Sequence, residues 1–425
     1  MPQDFTFKKG FVPDTSLAHI RVSRVIGPDG KVSLSHARIT DDWSLVLESA
    51  LSRPKNTGGV AFRSAIRKAI FSGTLPSDFT TEQFEDACRR EYGKLLARPS
   101  IDYRVFFEIV LGPARPATWL GANGCRLYFA PNSSSQFMDI ARAARAQAWA
   151  QQMPNRALAG PTRGLMPVVA HVRAPTPHEA HQIALDALDE IRGLMNFIVN
   201  ERRFSQQSFG VPKPINKIRL ATIQTVHTGD GPLASEGFWY ERDWQDTEIV
   251  SLTSGDRPLL ARFLLAFRKL RRPRNRLAGH ATVALRQYAR ALDNHEWRNA
   301  FLELWVVLEY LTGISNADYE KLISRASYMH ASHADMREIA QHLRIRRNEI
   351  VHSSAQDDDA EQLIFQAKRL VEPLLTFFIA NPFGLGDLEQ VRSFLDQPKD
   401  LTELRKRQRM LGHALHFRRP VRRPS

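Results

Sequence analysis

Phe301-Leu-Glu-Leu-Trp-Val-Val-Leu-Glu-Tyr-Leu-Thr312 is the stretch on which the fold turns. Its apolar residues fall on nearly every side of a 3.6-residue period, so it reads as a helix surrounded by other helices. It carries two acids, Glu303 and Glu309, and Glu309 borders the stripe Phe301, Leu304, Leu308 and Leu311. Periodic segments run at about 281–293, 297–312 (which contains it), 318–329, 335–352 and 359–379. Helices of this length with short connections describe an antiparallel bundle. We therefore expect an all-α C-terminal bundle over 259–382. Beyond it, 383–425 loses apolar periodicity and reads as a basic, disordered tail.

Upstream the pattern changes. Residues 17–38 read as two strands joined at Gly27-Pro28-Asp29-Gly30. Helical periods follow at 41–52, 60–72 and 81–97. Tyr103–Leu111 and Cys125–Phe129 are β-branched and aromatic, as buried strands are, and a helix is expected over 135–151. A second unit begins near Leu165, with a strand at 167–173. A helix follows Thr176-Pro177, a cap with proline in the first turn, and strands are expected near 217–227 and 248–253. The expected fold class is an α+β N-terminal region, divided into 1–160 and 161–258, followed by the helical bundle. His178 and His181 lie three apart beside an acid but lack a third ligand, so they read as a helix-start surface rather than a metal site.

The chain has 425 residues, with 59 Lys+Arg against 45 Asp+Glu and a net charge of +14. Two segments carry the whole excess. Arg262–Arg276 holds seven basic residues and no acid, and Lys399–Ser425 holds nine against Asp400 and Glu403. Concentrated positive charge attracts polyanions, nucleic acid foremost. Two cysteines exclude a disulfide framework and a Cys-rich zinc site. No apolar run is long enough to span a bilayer, and the first residues lack a secretory signal. The expectation is a cytoplasmic protein with no membrane partner. Phosphate-loop, His-Glu-x-x-His, Gly-x-Ser-x-Gly and Gly-x-Gly-x-x-Gly signatures are absent, so no cofactor or metal is expected.

One motif remains, Arg347-Asn348-Glu349-Ile350-Val351-His352. A histidine can move a proton on or off a hydroxyl near neutrality, and a guanidinium matches phosphate oxygens in a bidentate way. On RNA the two suffice: the base takes the 2′-OH proton, the oxygen attacks phosphorus, and the cation stabilises the charge that develops. Asn348 and His352 share a helix face. Arg347 falls on the apolar stripe of Met336, Ile339, Ala340, Leu343 and Ile350, where a charge must be paired or face a partner. Glu309 is the candidate counter-charge. Arg344 and Arg346 extend positive charge beside the motif. Arg268, Lys269, Arg271, Arg272 and Arg274 of the preceding arm are candidates for nucleic-acid binding.

Arg347-Asn348 followed by His352, after a Trp305–Glu309 helix of the Trp-x-x-Leu-Glu type, resembles the HEPN domain, most closely its Apea-like group. The resemblance covers about residues 280–380. It implies a bundle that dimerises so that two motifs share one cleft. It further implies a metal-independent endoribonuclease of anti-phage, abortive-infection or toxin-type defence. Carried over, Arg347 and His352 are catalytic, Asn348 orients or binds phosphate, and Glu309 is the supporting acid. RNA and a second copy of the chain are the implied partners. The N-terminal region would sense a phage-derived trigger or bind an antitoxin. Some HEPN domains are non-catalytic binding or dimerisation modules, and that reading stands as the alternative.

Overall fold

The computed structural model describes residues 5–418 except 30, 36, 55–58, 113–114, 132–134, 154–164, 201–211, 222, 242–256, 315–317 and 353–358; the side chains of 37–42, 59–60 and 257 are likewise not described. The strand expected at 248–253 lies outside these residues. The chain opens with α1 (Asp14–Ser23), the hairpin strands β1 (Arg24–Ile26) and β2 (Val32–Leu34), and helices α2 (Ala37–Ala50), α3 (Gly59–Ile70) and α4 (Thr81–Leu96). Residues 17–23, expected as strand, continue α1, which buries Leu17 and Ile20. The hairpin itself forms, closed by Gly27 N–H donating to Lys31 O at 2.8 Å. These elements share a core of Phe5, Leu17, Leu47, Phe62, Ile66, Phe79 and Phe84.

A six-stranded antiparallel sheet follows, built from β3 (Ile101–Ile109), β4 (Trp119–Ala122), β5 (Cys125–Phe129), then, after α5 (Gln136–Gln152), β6 (Met166–Ala174), and, after α6 (Pro177–Val199), β7 (Ile223–His227) and β8 (Trp239–Tyr240). The strand order is β4-β5-β6-β3-β7-β8. The sheet therefore runs across residue 160, where the sequence suggests a boundary: β6 pairs with β3 along its whole length, Ile101 to Ala174 and Ile109 to Met166. Strand β4 is an addition to the sequence reading. It is joined to β5 through Asn123 and Gly124, both with positive φ (46° and 74°), the conformation a two-residue hairpin loop requires.

The C-terminal region is all helical: α7 (Arg257–Leu270), α8 (Ala278–Asp293), α9 (Trp297–Thr312), α10 (Tyr319–Tyr328), α11 (His333–His352), α12 (Ala360–Ala380), α13 (Leu388–Leu395) and α14 (Leu401–Phe417). Helix α9 is central, with Phe301, Leu304, Trp305, Val307, Leu308 and Leu311 buried. Residues 388–417 differ from the disordered tail read from the sequence. In α13, Val391 and Leu395 are buried, and the helix is clamped by Arg325, whose guanidinium donates to both Asp396 carboxylate oxygens at 2.7 Å and to Thr312 O at 2.8 Å. Helix α14 forms but buries nothing.

Sheet and bundle share one core, because α6 serves both. One side of α6 lies under β3–β7 and the other against α8. Gly193 makes the second contact possible: a Cβ there would collide with the Leu285 carbonyl oxygen. Beside it, Arg192 is fully buried and bonded to Asp189 at 2.6 Å, Asp293 at 2.9 Å and Ile218 O at 3.2 Å. His181 of the same helix is buried, correcting the surface reading. Its Nε2 donates to Gln224 Oε1 at 2.7 Å and its ring stacks on Trp239 at 3.8 Å. Burial, opposed by the Gln224 bond, lowers its pKa to about 4.

Two outcomes test this architecture. Gly193→Ala should lower thermal stability by about 1–3 kcal/mol, the usual cost of overpacking a close contact, measured by differential scanning calorimetry. Asp396 is held below the ordinary carboxylate range chiefly by the Arg325 hydrogen bonds. Its contribution is therefore present above the unfolded pKa of about 4 and lost as pH falls through the folded value. Asp396→Asn should be less stable than wild type at pH 7, and the gap should close on acidification.

Candidate functional site

Helix α11 carries the motif. Met336, Ala340, Leu343 and Ile350 bury its inner stripe. Arg347 occupies the stripe one turn before its end and is half-buried. Its Nη1 donates to Asn348 Oδ1 at 3.3 Å, so the two motif residues are joined directly. His352 is the last residue of α11 and is exposed. Ile345, Asn348 and His352 follow one another at spacings of three and four, hence lie along one face.

Glu309 is placed elsewhere. Its Oε1 accepts from Trp305 Nε1 at 2.9 Å, and among the described residues it forms no ion pair with Arg347. The reason is the stagger of two antiparallel helices. Arg298, at the start of α9, donates through Nη2 to Ile350 O at 3.2 Å near the end of α11. Trp305 meets Tyr319, which in turn meets Arg344. Continuing this register sets Glu309 roughly two helical turns from Arg347 along the bundle.

Arg298 is the cation that the sequence reading passes over. A guanidinium on the last carbonyls of α11 satisfies groups that the helix itself leaves open and suits its negative end. The available signal was position: a basic residue in the first turn of α9 opposes that helix's own dipole and so asks for a partner.

Arg344 and Arg346 stand beside the motif on α11, bonded to Glu320 at 3.3 Å and Glu349 at 2.7 Å respectively. The arm residues are not brought to it. Asn275, between the arm and α8, donates to Phe378 O and Ile379 O at the end of α12, and His280 at the start of α8 meets Tyr310 at the end of α9. The arm thus sits at the opposite end of the bundle from Arg298 and the motif, a distance of roughly 24 Å, the length of α8. Within the arm, Arg268, Arg272 and Arg274 are exposed and Lys269 is partly so. Arg271 is committed, ion-paired with buried Glu190 and lying 5.4 Å over Phe267.

A cleft of about 860 Å³ opens between β8 and the α8–α9 turn, lined by Asp189, Arg192, Arg219, Glu241, Arg290 and Asp293 among others. Several of its charges neutralise one another: Arg290 bonds Asp189 at 2.8 Å, and Arg192 bonds Asp293. Among the described residues no group of His, Cys, Asp and Glu is arranged to hold a metal ion, and no helix is long and apolar enough to cross a membrane. No family model, no curated protein and no solved structure matches the chain.

Arg298→Ala should loosen the last turn of α11. Amide exchange at Val351 and His352 should quicken about two- to fivefold, as expected for losing a favourable charge–dipole contact of about 0.3–1 kcal/mol, while exchange in the α9 core stays unchanged.

Proposed function

We propose that this chain is a metal-independent endoribonuclease of the HEPN type, acting in bacterial defence and restrained by its N-terminal region. The observation that carries this reading is the exposed end of α11, where Arg347 and Asn348 are hydrogen-bonded and His352 stands on the Asn348 face. Neutral His352 takes the 2′-OH proton, and the 2′ oxygen attacks the adjacent phosphorus. Arg347 neutralises the charge that builds on the phosphoryl oxygens. The 5′ oxygen leaves, taking up a proton, and the products are a 2′,3′-cyclic phosphate and a 5′-hydroxyl. Asn348 holds the guanidinium and offers its amide N–H groups to phosphate.

A second copy of the chain completes the site in this reading. Ile345 and Val351 of α11 and Val306 of α9 are each about half exposed, the first two beside the motif in sequence and the third on the helix that packs against α11. Pairing through this face would set two His352 and two Arg347 around one cleft. Glu309 then acts through Trp305, as a positioning group inside the bundle.

A non-catalytic RNA-binding or dimerisation module is the second reading. It is favoured by the separation of Glu309 from Arg347 and of the arm from the motif.

Cleavage of mixed RNA in the presence of chelator separates the two. His352→Ala and Arg347→Ala should fold as wild type by circular dichroism and lose at least about a hundredfold in cleavage rate. Arg347→Lys should not restore it, because an ammonium lacks the bidentate fork. Products ending in 2′,3′-cyclic phosphate are expected. Wild-type protein that leaves diverse RNAs intact, or a His352→Ala protein as active as wild type, overturns the proposal.

A further inference from the structure

The two faces of the sheet differ in chemistry. One face, with Val105, Phe107, Leu127, Phe129, Val168 and Ala170, is buried against α6. The other is covered over β3 and β6 by α5, through Phe106, Met138, Ala141 and Val169. Towards β4 and β5 this second face carries Trp119, Arg126, Tyr128, His171 and Arg173. Trp119 is 50% exposed, and Arg126, His171 and Arg173 are exposed.

Strand register arranges these side chains in two rows. Arg126 pairs opposite His171, and His171 opposite Arg104, giving a cation, an imidazole and a cation across three strands. One pleat further, Trp119 pairs opposite Tyr128, an indole and a phenol side by side. Directly opposed side chains stand about 5 Å apart, so the rows are continuous surfaces. The Arg126 guanidinium lies 4.9 Å over the Trp119 ring and 3.4 Å from Tyr128 Oη. The Tyr128 and His171 ring centroids are 4.6 Å apart. Burial, with Arg104 and Arg126 alongside, lowers the His171 pKa.

Few acids oppose this charge. Asp102 meets Arg173 at 3.5 Å with both side chains largely in solvent, and Asp230, bonded to Thr228, lies toward Arg104. Among the described residues neither Arg104 nor Arg126 has a carboxylate partner. Arg126 rests on Trp119 and Arg104 lies 4.5 Å over Phe137, and aromatic rings interleaved with guanidinium groups in this way offer stacking to bases and ionic contacts to phosphates at once. Duplexes hide their base faces, so only an unpaired strand can use both.

We propose that this open half of the sheet binds single-stranded RNA, with bases stacked on Trp119 and on the Tyr128–His171 pair and phosphates held by Arg104, Arg126 and Arg173. The choice of RNA over DNA rests on the ribonuclease reading above, whereas the stacking and phosphate contacts do not. In that arrangement the sheet captures the strand that the bundle cuts.

Fluorescence anisotropy with a labelled mixed-sequence RNA of roughly 12 nucleotides tests it, using full-length His352→Ala protein so that the strand stays intact. Trp119→Ala and Arg126→Ala in that background should each weaken binding by about tenfold, and Trp119→Phe, which keeps an aromatic face, should largely retain it. Arg126→Ala should also flatten the dependence of log affinity on log salt by about 0.7, the value for one phosphate contact on a single strand. Unchanged affinity in both alanine variants, or a preference for the duplex of the same sequence, overturns the proposal. Tighter binding of the matching DNA strand overturns the choice of RNA. An otherwise inactive wild type whose RNA binding still depends on Trp119 sinks the ribonuclease reading and leaves this one standing. An active enzyme indifferent to Trp119 does the reverse.

Discussion

Arg192 is buried completely between a helix of the sheet and a helix of the bundle, and the architecture depends on keeping it paired. Asp189 answers it from its own helix and Asp293 from across the interface. Asn216 ties the same region further, donating to Ala289 O at 2.6 Å and Asp293 Oδ1 at 2.8 Å. Removing one partner of a buried ion pair typically costs about 3–5 kcal/mol, since the remaining charge stays out of water. The N-terminal region therefore cannot be treated as a detachable regulator of the bundle. A bundle cut free after residue 256 would lose α6, leave Asp293 without its guanidinium, and expose the apolar face of α8 that Gly193 allows so close.

Local periodicity made much of the secondary structure readable from the sequence. Helix α9 and strand β5 have the bounds their apolar patterns indicate, and Thr176 caps α6, accepting from Glu179 N–H at 3.2 Å. What the sequence concealed was pairing between distant residues. Asp189, Glu190 and Arg192 look like an ordinary polar face of α6, yet their partners lie about a hundred positions away on α8 and the arm, and no local pattern encodes that. His181 looked like a surface residue because Trp239 and Gln224, which bury it, arrive from strands far along the chain. Strand β4 was missed although Asn123-Gly124 is a strong hairpin signal, because its four residues alternate too briefly to register as a period.

The candidate site shows the same division. Arg347, Asn348 and His352 were legible as a motif because they are neighbours on one helix. The partner expected for Arg347 was not, since the stagger of α9 against α11 carries Glu309 away from it and Trp305 takes the Glu309 carboxylate. The charge excess likewise resolves into different roles. Arg271 is a structural cation for buried Glu190, the rest of the arm faces solvent at the far end of the bundle from the motif, and the basic surface with aromatic neighbours is on the sheet. Single-residue charge density had pointed to none of this, because those sheet arginines are spread through three strands and meet only in the fold.

Helix α14 follows a different physics from every other element described. With no buried residue, it is supported by its own hydrogen bonds, by the Asp400 cap on Glu403 N–H at 2.8 Å, and by Glu403 reaching Lys406 and Arg407. A solitary helix of this length is marginal in water, and Arg405, Lys406, Arg407 and Arg409 repel one another along it. Its melting is consequently a gradual, non-cooperative process, visible as a sloping ellipticity baseline well below the unfolding of the core. A polyanion that screens those four charges should raise the helix content of this segment.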